Sequence, residues 1–352
     1  MSDLAARLDA LVPPELARGD WSDVTRRVRP RGRLLTLKLA LACALCFVLA
    51  AAATATYLVL RGHPIRDPAP GALTLIAGGH SSNNPPRIVE VRPDGALRVV
   101  WRCPAKPCGG YLTSLAWAPS GRYVAFSLDG FNFSGGYLGL HILDTRTGRD
   151  FHIGSDQGAR LGCTSHGVSW MAFAAVAWSP NSQTLAFSCT RGIYLIGSDG
   201  AGVRRISTGA WPTWSRDGKH IAFEGGPGRT CCSIYVMRSD GSAQKRIVVH
   251  GSHPDWSDDG TRIAYNARDG IRFVTPEGMD VTPGGRSIEP GGTPAWSPDG
   301  TTLAISNSEG VYLVPAAGGA ARLVTTQAGG RDLRPAWYPA RREHRQTQCG
   351  EC

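Results

Sequence analysis

The phrase L-A-W-A-P-S-G at Leu115 returns as V-A-W-S-P-N-S at Val176, P-T-W-S-R-D-G at Pro212, P-D-W-S-D-D-G at Pro254 and P-A-W-S-P-D-G at Pro294. Its tryptophans are Trp117, Trp178, Trp214, Trp256 and Trp296, at spacings of 61, 36, 42 and 40 residues. A period near 40 marks a repeat architecture with one insertion, between Trp117 and Trp178. Behind each phrase stands a short apolar run: Y-V-A-F-S, T-L-A-F-S, H-I-A-F-E, R-I-A-Y-N and T-L-A-I-S. A second run follows, such as G-I-Y-L-I at Gly192, S-I-Y-V-M at Ser233 and G-V-Y-L-V at Gly310. Turns such as S-D-G at Ser198 and Ser239 or P-E-G at Pro276 come next, and R-R-I-S, K-R-I-V or A-R-L-V ends the unit. Four short strands joined by Asp-Gly and Gly-rich turns make an antiparallel meander. One such sheet cannot bury both faces, whereas sheets packed radially around an axis can.

The repeat count predicts how the ring closes. Residues Ala72–Arg102 supply L-T-L-I-A, R-I-V-E-V and A-L-R-V-V but no Trp phrase. The missing first strand stands at the other end as R-P-A-W-Y-P from Arg334, with its tryptophan 41 residues after Trp296. The expected fold is therefore all-β: a six-bladed β-propeller over 72–339, closed by pairing of its N- and C-terminal strands. The 44 glycines and 24 prolines suit so many turns.

Ahead of the propeller, Leu39 to Leu60 reads L-A-L-A-C-A-L-C-F-V-L-A-A-A-A-T-A-T-Y-L-V-L without a charge. As a helix it rises about 33 Å, enough for a hydrocarbon core of about 30 Å. Arg26, Arg27, Arg29, Arg31, Arg33 and Lys38 precede it, and only Arg61 and Arg66 follow closely. The positive-inside rule then predicts a single-pass membrane protein with a cytoplasmic tail at 1–38, a transmembrane helix at 39–60, a linker at 61–71 and an extracytoplasmic propeller. The basic stretch before the span is too long for a cleaved signal peptide. The tail carries Leu4, Leu8 and Leu11 at helical spacing, with Trp21, Val24 and Val28 as a second short face. Its arginines are explained by topology, so no nucleic-acid partner is expected.

The net charge is +10. Through Leu60 there are eight Lys or Arg and five Asp or Glu, leaving a surplus of seven basic residues beyond it. Such a surface is compatible with anionic headgroups or cell-wall polymers. Eight of the ten cysteines also lie beyond the span, where disulfides persist. Cys103 and Cys108 bracket a short Pro-Ala-Lys-Pro loop and are expected to pair. Cys163, Cys189, Cys231 and Cys232 are expected on one face of the ring as disulfides; a zinc site that includes His166 is the alternative. Cys349 and Cys352 form a terminal C-x-x-C, in the tail 340–352, that reads as a tail disulfide.

The phrase W-S-P-D-G followed by L-A-F/Y resembles the TolB-like propeller repeats, a WD-like class, across about Ala72 to Pro339. The resemblance implies a six-bladed propeller and, in TolB itself, protein binding at the cell envelope. No α/β domain is evident ahead of the propeller here, so the partners of TolB are not carried over. Some peptidases join a related propeller to an α/β-hydrolase domain, but no G-x-S-x-G nucleophile elbow occurs in this chain.

No catalytic motif is found, and neither a cofactor nor a metal is expected. Asp217, Asp259 and Asp299 recur at one place in three of the five phrases, as a turn residue does and a catalytic residue need not. G-G-P-G-R-T at Gly225 lacks the ending of a phosphate loop. The expected role is a non-enzymatic binding or scaffolding module for a protein or an envelope polymer. Its contact surface is expected on the loops between second and third strands, because loops carry function while blades hold shape. Those loops hold His80, Asn83, Asn84 and Arg87; Asp129, Phe131, Asn132 and Phe133; Arg191; Glu224 and Arg229; Asn266, Arg268 and Asp269; and Asn307 and Glu309. The alternatives are an envelope enzyme acting on a glycan or lactone in the central channel, and a transmembrane sensor.

Overall fold

A computed structural model describes residues 66–78, 85–103, 111–129, 139–153, 161, 163, 175–189, 192–225, 233–326 and 335–340. Blade one begins with β1 (Leu73–Ala77), β2 (Arg87–Val91) and β3 (Leu97–Arg102). Blade two is β4 (Tyr111–Trp117), β5 (Tyr123–Asp129), β6 (Gly139–Asp144) and β7 (Asp150–Ile153). Blade three is β8 (Ala175–Trp178), β9 (Thr184–Cys189), β10 (Gly192–Gly197) and β11 (Arg204–Ser207). Blade four is β12 (Ala210–Trp214), β13 (His220–Gly225), β14 (Ser233–Arg238) and β15 (Lys245–Val249). Blade five holds β16 (Ser252–Trp256), β17 (Ile263–Ala267) and β18 (Gly270–Val274). Blade six is β19 (Thr293–Trp296), β20 (Thr302–Ser306), β21 (Gly310–Pro315) and β22 (Arg322–Thr326). The last strand, β23 (Ala336–Trp337), returns to blade one, pairing Leu73 with Trp337 and Thr74 with Ala336. The structure is thus a six-bladed propeller closed by its two ends, as the repeat count predicts.

The phrase tryptophans, Trp256 excepted, link each blade to the one before. The indole N–H of Trp178 donates to the Ala116 carbonyl, Trp214 to Ala177, Trp296 to Asp255 and Trp337 to Ala295, at 3.2, 3.2, 3.2 and 3.0 Å. Every acceptor is the residue just before the preceding tryptophan, so one register is copied around the ring. At the closure the link acquires a relay. Trp117 donates to the Thr74 hydroxyl (2.9 Å), which donates to the Ala336 carbonyl (2.6 Å). Trp256 departs from the pattern and donates to Gly260 within its own turn.

The alanines of the L-A-F runs explain how closely the blades pack. Ala125, Ala186, Ala222, Ala264 and Ala304 are fully buried, each at the centre of a second strand. The apolar clusters lie across blade boundaries; one joins Leu73, Leu75 and Val89 of blade one to Ala304 and Val311 of blade six. The hydrophobic driving force that folds each sheet therefore also seals the ring.

The phrase turns confirm the structural reading of the recurrent aspartates. Ser215, Ser257 and Ser297 donate to Asp217, Asp259 and Asp299 at 2.6, 2.6 and 2.5 Å. Each aspartate also accepts the N–H two residues on, at 2.9–3.0 Å. All three carboxyls are held below their usual range: Asp217 and Asp299 chiefly by the serine bond, Asp259 because its bonds outweigh its burial.

Blade five differs from the expected four-stranded unit. Beyond β18 the chain makes only the bridges Val274–Asp280 and Ile271–Ile288, interrupted by a 3-10 turn at Pro283–Gly285. Pro283 has no N–H to give a ladder, and Gly284 and Gly285 sit at φ of 65° and 67°, outside strand geometry.

Candidate functional site

The six first strands β4, β8, β12, β16, β19 and β23 line a central channel of about 380 Å³. Alternation along a strand sends every second residue inward, so the channel is built in tiers. The tier just before the phrase tryptophans holds Ala116, Ala177, Thr213, Asp255, Ala295 and Ala336. Four alanines leave the space, and Asp255 is the one carboxylate in that tier. The tier two residues earlier holds Ser114, Ala175, Trp211, His253 and Thr293. At the opposite end, two residues past each tryptophan, stand Pro119, Pro180, Arg216, Asp258, Pro298 and Pro339. There Arg216 and Asp258 form a 2.6 Å ion pair between blades four and five. One mouth is therefore a proline ring with a neutralised pair; the other is aromatic and polar.

Two bulges shape the aromatic mouth. The β12–β13 register shifts between Ala210 and Thr213, and the β16–β17 register between Ser252 and Asp255. The displaced residues are Trp211 and His253, at φ of 55° and 51°. Left-handed backbone is uncommon for such residues, and both precede a proline, which restricts them further. Their rings meet edge to face at 4.0 Å. The His253 N–H donates to the Glu224 carboxylate at 3.3 Å. Backbone strain of this kind clusters at clamps and recognition sites.

Asp255 lies deeper. One carboxylate oxygen accepts the Trp296 N–H at 2.7 Å and the other the Thr213 hydroxyl at 3.3 Å. Burial pushes its carboxyl up to about 7, against the opposing pull of these bonds. A carboxyl near neutrality can exchange a proton at physiological pH. Hydrolysis of a glycosidic bond asks for two carboxyl groups flanking the bond, and this tier supplies one.

Of the expected contact-face residues that are described, Glu224 is bonded to the channel-mouth residue His253, and it lies at the end of β13 rather than in the loop beyond it. Asn266 accepts the Gly292 N–H at 3.0 Å, and Asn307 accepts the N–H of Glu309 and of Gly310 while donating to the Gly291 carbonyl. These two asparagines bind blades five and six together beneath the loops. Glu309 accepts the Tyr312 hydroxyl at 2.9 Å, and Asp269 forms a forked pair with Arg272. Arg268 is exposed at the β17–β18 turn, Arg87 opens β2, and Asp129 ends β5. His80, Asn83, Asn84, Phe131, Asn132, Phe133, Arg191 and Arg229 lie outside the described residues, as does the predicted span 39–60. Among the described residues no helix is long and apolar enough to cross a membrane.

Cys163 and Cys189 form a disulfide, joining the link between blades two and three to the end of β9. This removes both from the zinc alternative. Cys103 is also disulfide-bonded; Cys108, Cys231, Cys232, Cys349 and Cys352 lie outside the described residues. Among the described residues no three His, Cys, Asp or Glu side chains are grouped to hold a metal.

Trp211, His253 and Asp255 are absent from the loop residues expected at the contact face. The signal was present in the repeat itself. P-D-W at Pro254 carries a carboxylate where the other phrases have alanine or threonine, and W-P-T-W and H-P-D-W put large side chains before the strand proline.

Closed by β23 around this channel, the chain can be compared with known propellers. The fold is that of the TolB propeller. The chain is similar to TolB from Acinetobacter baumannii, with a TM-score of 0.55, 17% identity, and coverage of 76% of this chain and 67% of that one. A putative TolB from Agrobacterium tumefaciens gives 0.51 and 20%, covering 72% and 88%. A chain of a nidogen/laminin complex gives 0.51 and 9%, covering 76% and 98%. At these identities the TolB likeness is one of fold. No family model and no curated protein matches the sequence.

Proposed function

We propose that this chain is a membrane-anchored, extracytoplasmic propeller that binds a protein partner at the cell envelope, through the face where the second-to-third-strand loops surround the aromatic channel mouth. The observation that carries this reading is the asymmetry of the two mouths. Four prolines and a satisfied ion pair make one end rigid and electrically quiet. The other end presents Trp211 and His253, held by strained backbone beside Glu224, one tier above the half-buried Asp255. Trp211 and His253 are half-buried at this mouth, and aromatic anchors in a preformed pocket are what protein interfaces use for most of their affinity. The TolB-type fold, the repeat resemblance and the Cys163–Cys189 disulfide support an envelope setting; the uncharged stretch 39–60 and the arginines before it support the anchor. The same loops give the partner its specificity, with Arg268, Asp269, Asn307 and Glu309 on the rim. The reading includes no catalytic step.

The test is a photo-crosslinking amino acid placed at Arg268, on the loop face, or at Lys219, on the turn face, in intact cells. An adduct of one discrete mass from position 268 and none from 219 is expected. Adducts from 219 alone would refute the choice of face.

A further inference from the structure

The chain enters the propeller along a fixed path on blade one. The Arg66 N–H donates to the Val100 carbonyl of β3 at 3.1 Å. Arg98 of β3 pairs with the buried Glu90 and donates to the Asp67 carbonyl at 2.9 Å. Glu90 in turn accepts the Ala69 N–H at 3.2 Å, and the Gly71 N–H reaches the Pro339 carbonyl at 3.4 Å. Residues 66–71 are thus tied across the blade from its outer strand to its inner one. Pro68 is buried within this segment.

The outer wall of the ring is basic. The five outer strands β3, β7, β11, β15 and β22 together contain seven Arg or Lys and one acid, Asp150. The acid lies against His141 at 2.9 Å. On blade one and its entry segment, five arginines stand against three acids, and Glu90 is already neutralised by Arg98. Arg66, Arg92 and Arg102 are exposed along this wall, and Leu97, at the other end of β3 from Arg102, is 49% exposed.

We propose that the outer wall of blade one lies against a surface of anionic lipid headgroups, with Arg66, Arg92 and Arg102 meeting phosphates and Leu97 at the interface. The inference rests on the membrane-anchor reading. Six residue steps separate Leu60, where the predicted span ends, from Arg66, where the chain is tied to β3. Fully extended, six steps reach about 20 Å. A basic wall alone would not choose one blade, because β11 and β15 are basic too. The tether chooses it, and the charge holds it: each basic group near an anionic leaflet is attracted within a Debye length of about 10 Å.

The experiment uses the full chain in nanodiscs of phosphatidylcholine with or without phosphatidylglycerol, containing a headgroup-attached nitroxide quencher. A fluorescent amino acid is placed at Leu97 or at Val249, which is 55% exposed on the outer strand of blade four, across the ring. Quenching at 97 should exceed that at 249 by about twofold or more in anionic discs. It should fall toward the level at 249 in neutral discs, in 1 M salt, where screening contracts to about 3 Å, and in an R92Q/R102Q double variant. Equal quenching at both positions, with the chain retained in the discs, overturns the apposition alone. Quenching at 97 that ignores lipid charge overturns headgroup recognition. A chain that washes off the discs in salt lacks the anchor, and that result overturns this inference together with the reading beneath it.

Discussion

Replacing Asp255 by asparagine should stabilise the propeller at neutral pH and change little in acid. Asparagine keeps the shape of the carboxyl and is neutral at every pH, and it can accept from the Trp296 N–H and donate to the Thr213 hydroxyl. In the native chain burial raises the Asp255 carboxyl from 3.8 to about 7. Below pH 3.8 folded and unfolded chains both carry the proton, and the group adds no pH dependence. Between there and about 7 the unfolded chain releases the proton while the folded chain holds it, so stability falls as pH rises. The shift is about 3 units at roughly 1.4 kcal/mol each, a ceiling of about 4 kcal/mol. Asp255 is only half-buried toward the channel, and channel water reduces that ceiling to about 2–3 kcal/mol. For a domain of this size such a difference moves Tm by on the order of 5–10 °C. Thermal unfolding of both proteins, followed by circular dichroism from pH 4 to pH 8, reads the effect as a difference, which removes the contributions of other groups. The variant should melt with the native chain near pH 4 and above it by pH 8. A gap independent of pH would mean that the carboxyl is not raised, and a native chain gaining on the variant as pH rises would reverse the reasoning.

Three further outcomes follow from the fold. T74V removes the hydroxyl that relays Trp117 to the Ala336 carbonyl, leaving a buried indole N–H unpaired; a loss of about 1–3 kcal/mol is expected in denaturant unfolding, and no loss would contradict the closure relay. Reduction of the Cys163–Cys189 bridge, which spans 26 residues, should cost roughly 3 kcal/mol, whereas free thiols at both positions in the purified unreduced chain would contradict the bridge. D299A should cost about 1 kcal/mol above pH 5, by analogy with a lost helix cap, and progressively less as the medium is made more acidic than the ordinary carboxylate range. The native carboxyl is held low mainly by Ser297, so its contribution is present above 3.8 and disappears as pH falls through its depressed value; a cost unchanged in acid would show that the charge is irrelevant to the turn.

The architecture was legible because it repeats. Trp117, Trp178, Trp214, Trp256 and Trp296 mark a register that every blade reuses, and R-P-A-W-Y-P on the same period located the closing strand. Repetition also identified Asp217, Asp259 and Asp299 as turn residues, each bonded in the same way to a serine two positions earlier. It could not reveal where blade five abandons the pattern, since M-D-V-T-P-G-G-R-S-I differs only by a proline and glycines that matter through backbone geometry. The candidate site was less legible for the opposite reason: it lies where the repeats differ. Asp255 gains its properties from four facing alanines that leave room and from the blade walls that surround it, a fact of three dimensions. Trp211 and His253 reach the mouth through bulges that no local pattern announces. Asn307 lies in a loop as expected whereas Asn266 falls inside β17, and the amides of both are occupied in holding neighbouring blades.

We propose a propeller held outside the cytoplasm by a single span. Alkaline phosphatase, which is active only where its disulfides can form, reports that side of the membrane when fused to the chain. Fused after Cys352 it should be active, with the chain remaining in the membrane pellet after a carbonate wash, and fused after Lys38 it should be inactive. An inactive but well-expressed fusion after Cys352, or a chain released by carbonate, would contradict the account.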